Sequence, residues 1–142
     1  MGADWENYFM RNKNKFDVLI PAGYKPKKHE LDAAWILSKH FNSIVQVLRP
    51  SKGYKEKTAD FIIDNIQYEL KTPTTSKVSK VEVTIREAVK QSVNVVIDMR
   101  KTKITEKRMI EICQDRLIHI KKLRKITLIV DKKKVLDFYK QM

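Results

Sequence analysis

The sequence contains a single cysteine in 142 residues, Cys113. No intrachain disulfide can form, so the chain suits a reducing cytosol, or work that ends in one. Three histidines, His29, His40 and His119, are scattered along it, and with one cysteine they make no zinc-ligand spacing. There is no glycine-rich phosphate loop and no Gly-x-Ser-x-Gly elbow, which removes nucleotide-binding P-loops and serine hydrolases of that type. No run of about eighteen apolar residues occurs, so no helix can span a bilayer and no stable membrane insertion is expected. Residues 1–17 lack the apolar stretch of a signal peptide. Only three glycines and four prolines punctuate the chain, which places most of it in regular elements. Acid is scarce as well: 17 Asp+Glu stand against 30 Lys+Arg, a formal charge of +13.

What is present fits one compact domain. The chain is 42% hydrophobic, enough for a core, and 33% charged. A basic surface of this size favours a polyanion partner, because phosphates release counterions on binding. Hydrophobic periodicity reads as helix over 4–11, an apolar piece over 16–20, helix over 28–41 and strand over 43–48. A basic loop follows over 49–57, containing Lys52, Tyr54, Lys55 and Lys57. Strands come next over 59–63 and 66–72, joined at Asp64-Asn65. A helix over 81–91, an apolar strand over 93–99, a long helix over 105–123 and a strand over 126–130 complete the core. Residues 135–139 suit either a hairpin partner or a short helix. Cys113 falls on the apolar stripe of its helix and reads as a small core residue. The expected class is α/β, with a mixed central sheet and helices on both faces. Residues 1–27 form a helix and lead-in to a core over 28–142.

The strands around Asp64-Asn65 carry the chemistry. A two-residue turn there sets the register, since both residues tolerate positive φ. Ile63 then faces Ile66, and Asp60 faces Glu69. Phe61, Ile63, Tyr68 and Leu70 make a packing face. Asp60, Ile62, Gln67, Glu69 and Lys71 make the other. Opposed carboxylates repel, and a divalent cation relieves that repulsion because hard cations prefer carboxylate oxygen. Lys71, two residues from Glu69, can orient a water or stabilise a phosphate under attack. The alternative is a solvated hairpin in which Lys71 simply neutralises Glu69. Glu30, in the first turn of its helix, is either a charge favoured by the helix dipole or a third carboxylate reaching the same site.

Helical Glu30, strand Asp60, then Glu69-Leu70-Lys71 on the next strand resembles the PD-(D/E)XK nuclease superfamily. The resemblance implies that Asp60 and Glu69 hold a metal ion (Mg²⁺, with Mn²⁺ or Zn²⁺ as alternatives), that Lys71 activates water or stabilises charge, and that Glu30 assists. The superfamily's proline is missing, since Thr58-Ala59 precede Asp60. A closer likeness, over residues 28–140, is carried by Lys57-Thr58-Ala59-Asp60-Phe61, by Tyr68-Glu69-Leu70-Lys71-Thr72-Pro73 and by Ala88-Val89-Lys90-Gln91-Ser92-Val93-Asn94-Val95-Val96-Ile97-Asp98. These segments are similar to the C-terminal nuclease domains of contact-dependent growth inhibition toxins.

That likeness implies a domain delivered as part of a larger secreted or surface protein. It would cut tRNA, or DNA, in the cytoplasm of a target bacterium, and a cognate immunity protein would silence it. It also implies a role for Gln91 beside the site. Lys55, Lys57, Lys77, Lys80 and Arg86 are candidate phosphate contacts, each equally readable as a solvated charge. Lys121, Lys122, Arg124 and Lys125 read either as a favourable helix C-terminus or as a phosphate-contacting rim. Tyr24 and Tyr54 lie among lysines and suit stacking on unpaired bases. The competing function is a nucleic-acid-binding module without catalysis.

Overall fold

The structure, a computed structural model, describes residues 5–7, 18–50 and 59–141. The chain is mixed α/β and divides into two compact units, Met1–Gln67 and Tyr68–Met142.

In the first unit β1 (Trp5–Asn7) pairs antiparallel with β2 (Val18–Pro21). β2 runs parallel to β3 (Val45–Val47), and β3 pairs antiparallel with β4 (Phe61–Ile63). The helix expected over 4–11 is therefore corrected: Trp5–Asn7 is a strand, in register with Leu19 to Pro21. An eight-residue helix is marginal without packing, and pairing with β2 satisfies the main chain instead. α1 (Lys28–Phe41) packs on β2 and β3. It buries Glu30, Ala33, Ala34, Ile36, Leu37 and Ser38. Lys39 and His40 occupy its last turn, and Asn42 closes it in the left-handed region at φ 51°. Asp64 and Asn65 both take positive φ, 52° and 65°, as the expected two-residue turn requires. Ser43 Oγ donates to Asp64 Oδ2 at 3.1 Å.

The unit boundary falls within β5 (Ile66–Lys71). In the second unit β5 runs parallel to β6 (Asn94–Asp98), β6 parallel to β7 (Lys125–Asp131), and β7 antiparallel to β8 (Lys134–Tyr139). The open choice at 135–139 is thus settled as a hairpin partner. β6 lies between two parallel neighbours, and Val95, Val96 and Ile97 are fully buried, as its unbroken apolar run predicts.

Register assigns the faces. Glu69 aligns with Val95 and Lys71 with Ile97; Val95 aligns with Ile126 and Ile97 with Leu128. That face meets α2 (Val78–Ala88) and α3 (Glu106–His119) in one core with Val81, Ile85, Met109, Ile112 and Cys113. Truncating any large member to alanine would cost about 2–5 kcal/mol.

α3 starts at Thr105, whose hydroxyl accepts from Arg108 N at 3.2 Å. It stops at His119, short of the expected 123, because Ile120 turns extended. Lys140 Nζ donates to the exposed helix-end carbonyls of Leu117 and Ile120. Arg124 and Lys125 therefore lie beyond the helix. Lys125 is not a rim residue at all: it opens β7, is 8% exposed, and donates to Tyr68 Oη at 2.8 Å. Asp137 lies 3.8 Å from its ammonium. Burial pulls the Lys125 pKa down, but the Tyr68 hydrogen bond and the Tyr68, Asp137 and Tyr139 groups outweigh it, so the ammonium is held more firmly than usual. Its long stem lets it cover apolar surface while the charge keeps partners.

Candidate active site

The first unit assembles Tyr24, Glu30 and Asp60. β2 ends at Pro21, and a turn with Gly23 at φ 79° brings Tyr24 N within 3.1 Å of Pro21 O. Glycine is needed there because other residues rarely adopt that conformation. Tyr24 Oη donates to Glu30 Oε1 at 2.9 Å. Glu30 sits in the first turn of α1 and is 9% exposed. Asp60, half-buried at the bend before β4, accepts Leu48 N through its carbonyl at 2.8 Å.

Burial raises the Glu30 carboxyl above its ordinary value, and the Asp60 charge adds to this; the Tyr24 hydrogen bond and Lys27 pull the other way without cancelling it. Burial, Glu30 and Asp60 together push the Tyr24 hydroxyl up to about 12. Tyr24 is thus a neutral donor to Glu30, a partner that its lysine neighbours along the chain did not indicate. The signal for it was a tyrosine six positions ahead of a first-turn glutamate.

The second unit assembles Glu69, Lys71 and Gln91. Glu69 is 4% exposed on the helix face of β5. Lys71, two residues on and therefore on the same face, brings Nζ to 3.4 Å from Glu69 Oε2. Gln91 follows α2. With its amide oriented to satisfy the local hydrogen bonds, its nitrogen donates to Glu69 Oε2 at 3.0 Å and Oε1 at 3.1 Å. A buried carboxylate is tolerable only when paired and hydrogen-bonded, and this one has a cation and an amide donor. The solvated-hairpin alternative is disfavoured by that burial.

Of the phosphate-contact candidates, Lys77, Lys80 and Arg86 are exposed on or beside α2. Lys77 precedes the helix, its N–H donating to Thr75 Oγ1 at 3.0 Å. Lys55 and Lys57, with Tyr54, lie outside the described residues. His40 and His119 are exposed, and Cys113 is buried, its thiol pushed up to about 12 by desolvation. Asp60 belongs to the first unit and Glu69 to the second, and within either unit no group of three or more described His, Cys, Asp or Glu side chains comes together to hold a metal ion. The donors each unit offers are carboxylate oxygens, the chemistry that hard divalent cations select. No helix among the described residues is long and apolar enough to cross a membrane.

Comparison with known proteins gives two matches. The sequence model of the contact-dependent growth inhibition CdiA C-terminal domain matches residues 57–135. Among solved structures, the chain is similar to one from a CdiA-CT/CdiI toxin and immunity complex of Burkholderia pseudomallei, with a TM-score of 0.63 and 17% identity, over 84% of this chain and 92% of that one. At that identity the likeness speaks for the fold. No curated protein matches the chain.

Proposed function

The chain belongs to the family of contact-dependent growth inhibition CdiA C-terminal domains, and from that membership we propose a metal-dependent endonuclease toxin of the PD-(D/E)XK type, with tRNA as substrate. The observation that carries this reading is the Glu69 constellation: a buried strand carboxylate with a lysine ammonium at 3.4 Å and a glutamine amide at 3.0 and 3.1 Å. A stability role alone would be served as well by apolar residues.

In this reading Asp60 and Glu69 would hold the divalent cation, Mg²⁺ first, with Mn²⁺ or Zn²⁺ as alternatives. When bound, the cation supplies Lewis acidity and lowers the pKa of coordinated water. Gln91 fixes the Glu69 carboxylate, so that its oxygens do not swing away from their task. Lys71 donates to a non-bridging phosphate oxygen and offsets the charge that builds there. Glu30, whose carboxyl burial raises above its ordinary value, serves as a proton acceptor. The exposed Lys77, Lys80 and Arg86, together with Lys55 and Lys57, contact backbone phosphates, in keeping with a charge of +13.

The chain acts at the end of a larger delivered protein, in the cytoplasm of the target cell. The solved toxin and immunity complex supports a cognate immunity protein as its partner. A gel assay tests the activity. Total tRNA and plasmid DNA are incubated with the protein and Mg²⁺, Mn²⁺ or Zn²⁺, with and without EDTA, alongside Asp60→Ala, Glu69→Ala and Lys71→Ala. Cleavage of tRNA that disappears with EDTA and in all three variants is expected. Activity that survives EDTA, or three variants that cut like the parent, would overturn the assignment, and cleavage of plasmid alone would make DNA the substrate.

A further inference from the structure

A groove of ≈ 740 Å³ runs along the second unit between the end of α3 and strand β8, and Glu69 is not among its lining residues. Its lining includes Leu117 and Ile118 from the helix, and Asp137, Phe138, Tyr139 and Lys140 from the strand and just after it; the Asp137 carboxylate already accepts from Thr127 Oγ1 at 2.6 Å and lies 3.8 Å from the Lys125 ammonium. Ile118 is 75% exposed and Tyr139 60%. These are the two most exposed of the large apolar side chains among the described residues, and they stand beside one groove; apolar groups gathered in one patch mark contact sites.

β8 is the last strand of its sheet, and among the described strands it pairs with β7 alone. Lys140 N–H reaches Arg124 O at 2.9 Å, toward β7. Main-chain groups alternate along an antiparallel strand, so the N–H and C=O of Tyr139 turn away from β7. Natural proteins blunt such an edge or use it. Here the edge is held rigid, because Lys140 Nζ ties the end of β8 to the Leu117 and Ile120 carbonyls.

Charge selects the occupant. Lys121, Lys122 and Arg124 are exposed beyond the end of α3, and Lys132 and Lys133 are exposed in the β7–β8 turn. Cations therefore bracket both ends of the strand. A nucleic acid would satisfy the cations but gain little from Leu117, Ile118 and Phe138, and it cannot pair with a strand edge. A polypeptide with alternating apolar and acidic residues satisfies all three features. Strand addition supplies the main-chain bonds, alternate side chains enter the groove, and carboxylates meet the lysines.

We infer that the β8 edge and the α3 groove dock an extended acidic segment of the immunity protein by strand addition, at a surface separate from the Glu69 constellation. The inference rests on the toxin-and-immunity reading above. The probe is the protein whose co-expression restores growth to cells making the full chain. Its binding is measured by titration calorimetry against the parent, Ile118→Glu, Tyr139→Pro and Glu69→Gln. Proline is tolerated where an edge N–H faces outward, and Ile118→Glu changes an exposed position.

Expected are a loss of about 100-fold in affinity for Ile118→Glu and Tyr139→Pro, unchanged affinity for Glu69→Gln, and cells that die from the first two variants despite the protector. Retained killing also reports that both variants fold. Affinity within threefold of the parent in Ile118→Glu would overturn the inference, as would a variant that instead loses oligonucleotide binding and keeps the protector. If Glu69→Gln still kills, the nuclease reading fails while the docking surface stands.

Discussion

Glu30 in the first unit and Glu69 in the second are 9% and 4% exposed, and they are held in opposite ways. Glu69 has an ammonium at 3.4 Å and an amide donor spread across both its oxygens. Glu30 has a neutral tyrosine hydroxyl, and burial, with the like charge of Asp60 adding to it, raises its pKa against the pull of that hydrogen bond and of Lys27. The second arrangement carries its own compensation. The first keeps a burial cost on Glu30 that the Tyr24 hydrogen bond and Lys27 offset only in part. The second unit's trio is therefore the stronger pointer to chemistry, and the first unit shows its cost in the raised Glu30 pKa.

The comparison can be broken most severely at Lys71. Lys71→Met removes the only feature of the second arrangement that acts as a cation, and cleavage should fall about 10²- to 10⁴-fold while tRNA affinity, read by filter binding, changes little. A variant that loses binding and keeps its turnover would make Lys71 a phosphate anchor instead. Gln91→Ala should be milder, about 10- to 100-fold in kcat with KM nearly unchanged, because the Glu69 carboxylate remains but is no longer held at both oxygens.

The smallest effect is on stability, and it tests the first arrangement. The folded chain holds the Glu30 proton more tightly than the unfolded chain does, so Glu30's contribution to stability is present below the unfolded pKa, near 4.5, and is lost as pH rises through the raised folded value. Glu30→Gln keeps an acceptor for Tyr24 and removes that loss. Its Tm at pH 7 should lie above the parent's by a few degrees, with the gap closing as pH falls toward 4. Titrating the Glu30 carboxyl by NMR with added Mg²⁺ should shift its midpoint down. A midpoint that Mg²⁺ leaves in place would argue against a metal at Asp60, whose charge acts on Glu30.

Local pattern accounted for a good part of this. The alternation of Phe61, Ile63, Tyr68 and Leu70 predicted a buried face, and all four are buried. The positive φ at Asp64 and Asn65 followed from residue type. Glu69 and Lys71 had to share a face because a strand repeats every two residues. The failures were non-local. Residues 5–7 pair with a strand more than ten positions away, which periodicity within the segment does not reveal. Lys125 looked like one more cation in a basic run, and only its partners Tyr68 and Asp137 explain why it is buried. Tyr24 looked exposed among lysines, and the turn at Gly23 carries it to Glu30 instead.

The sequence by itself determined the charge, the element order from α1 through β7, the turn and the spacing of Glu69 and Lys71, because each depends on composition or on neighbours along the chain. Tertiary structure decided what surrounds those groups: that Gln91, twenty-two positions on from Glu69, closes on its oxygens, that Asp60 burdens Glu30, and that the β8 edge and Ile118 line one groove. Burial and electrostatic coupling are properties of groups brought together across the chain, and they exist only once it has folded.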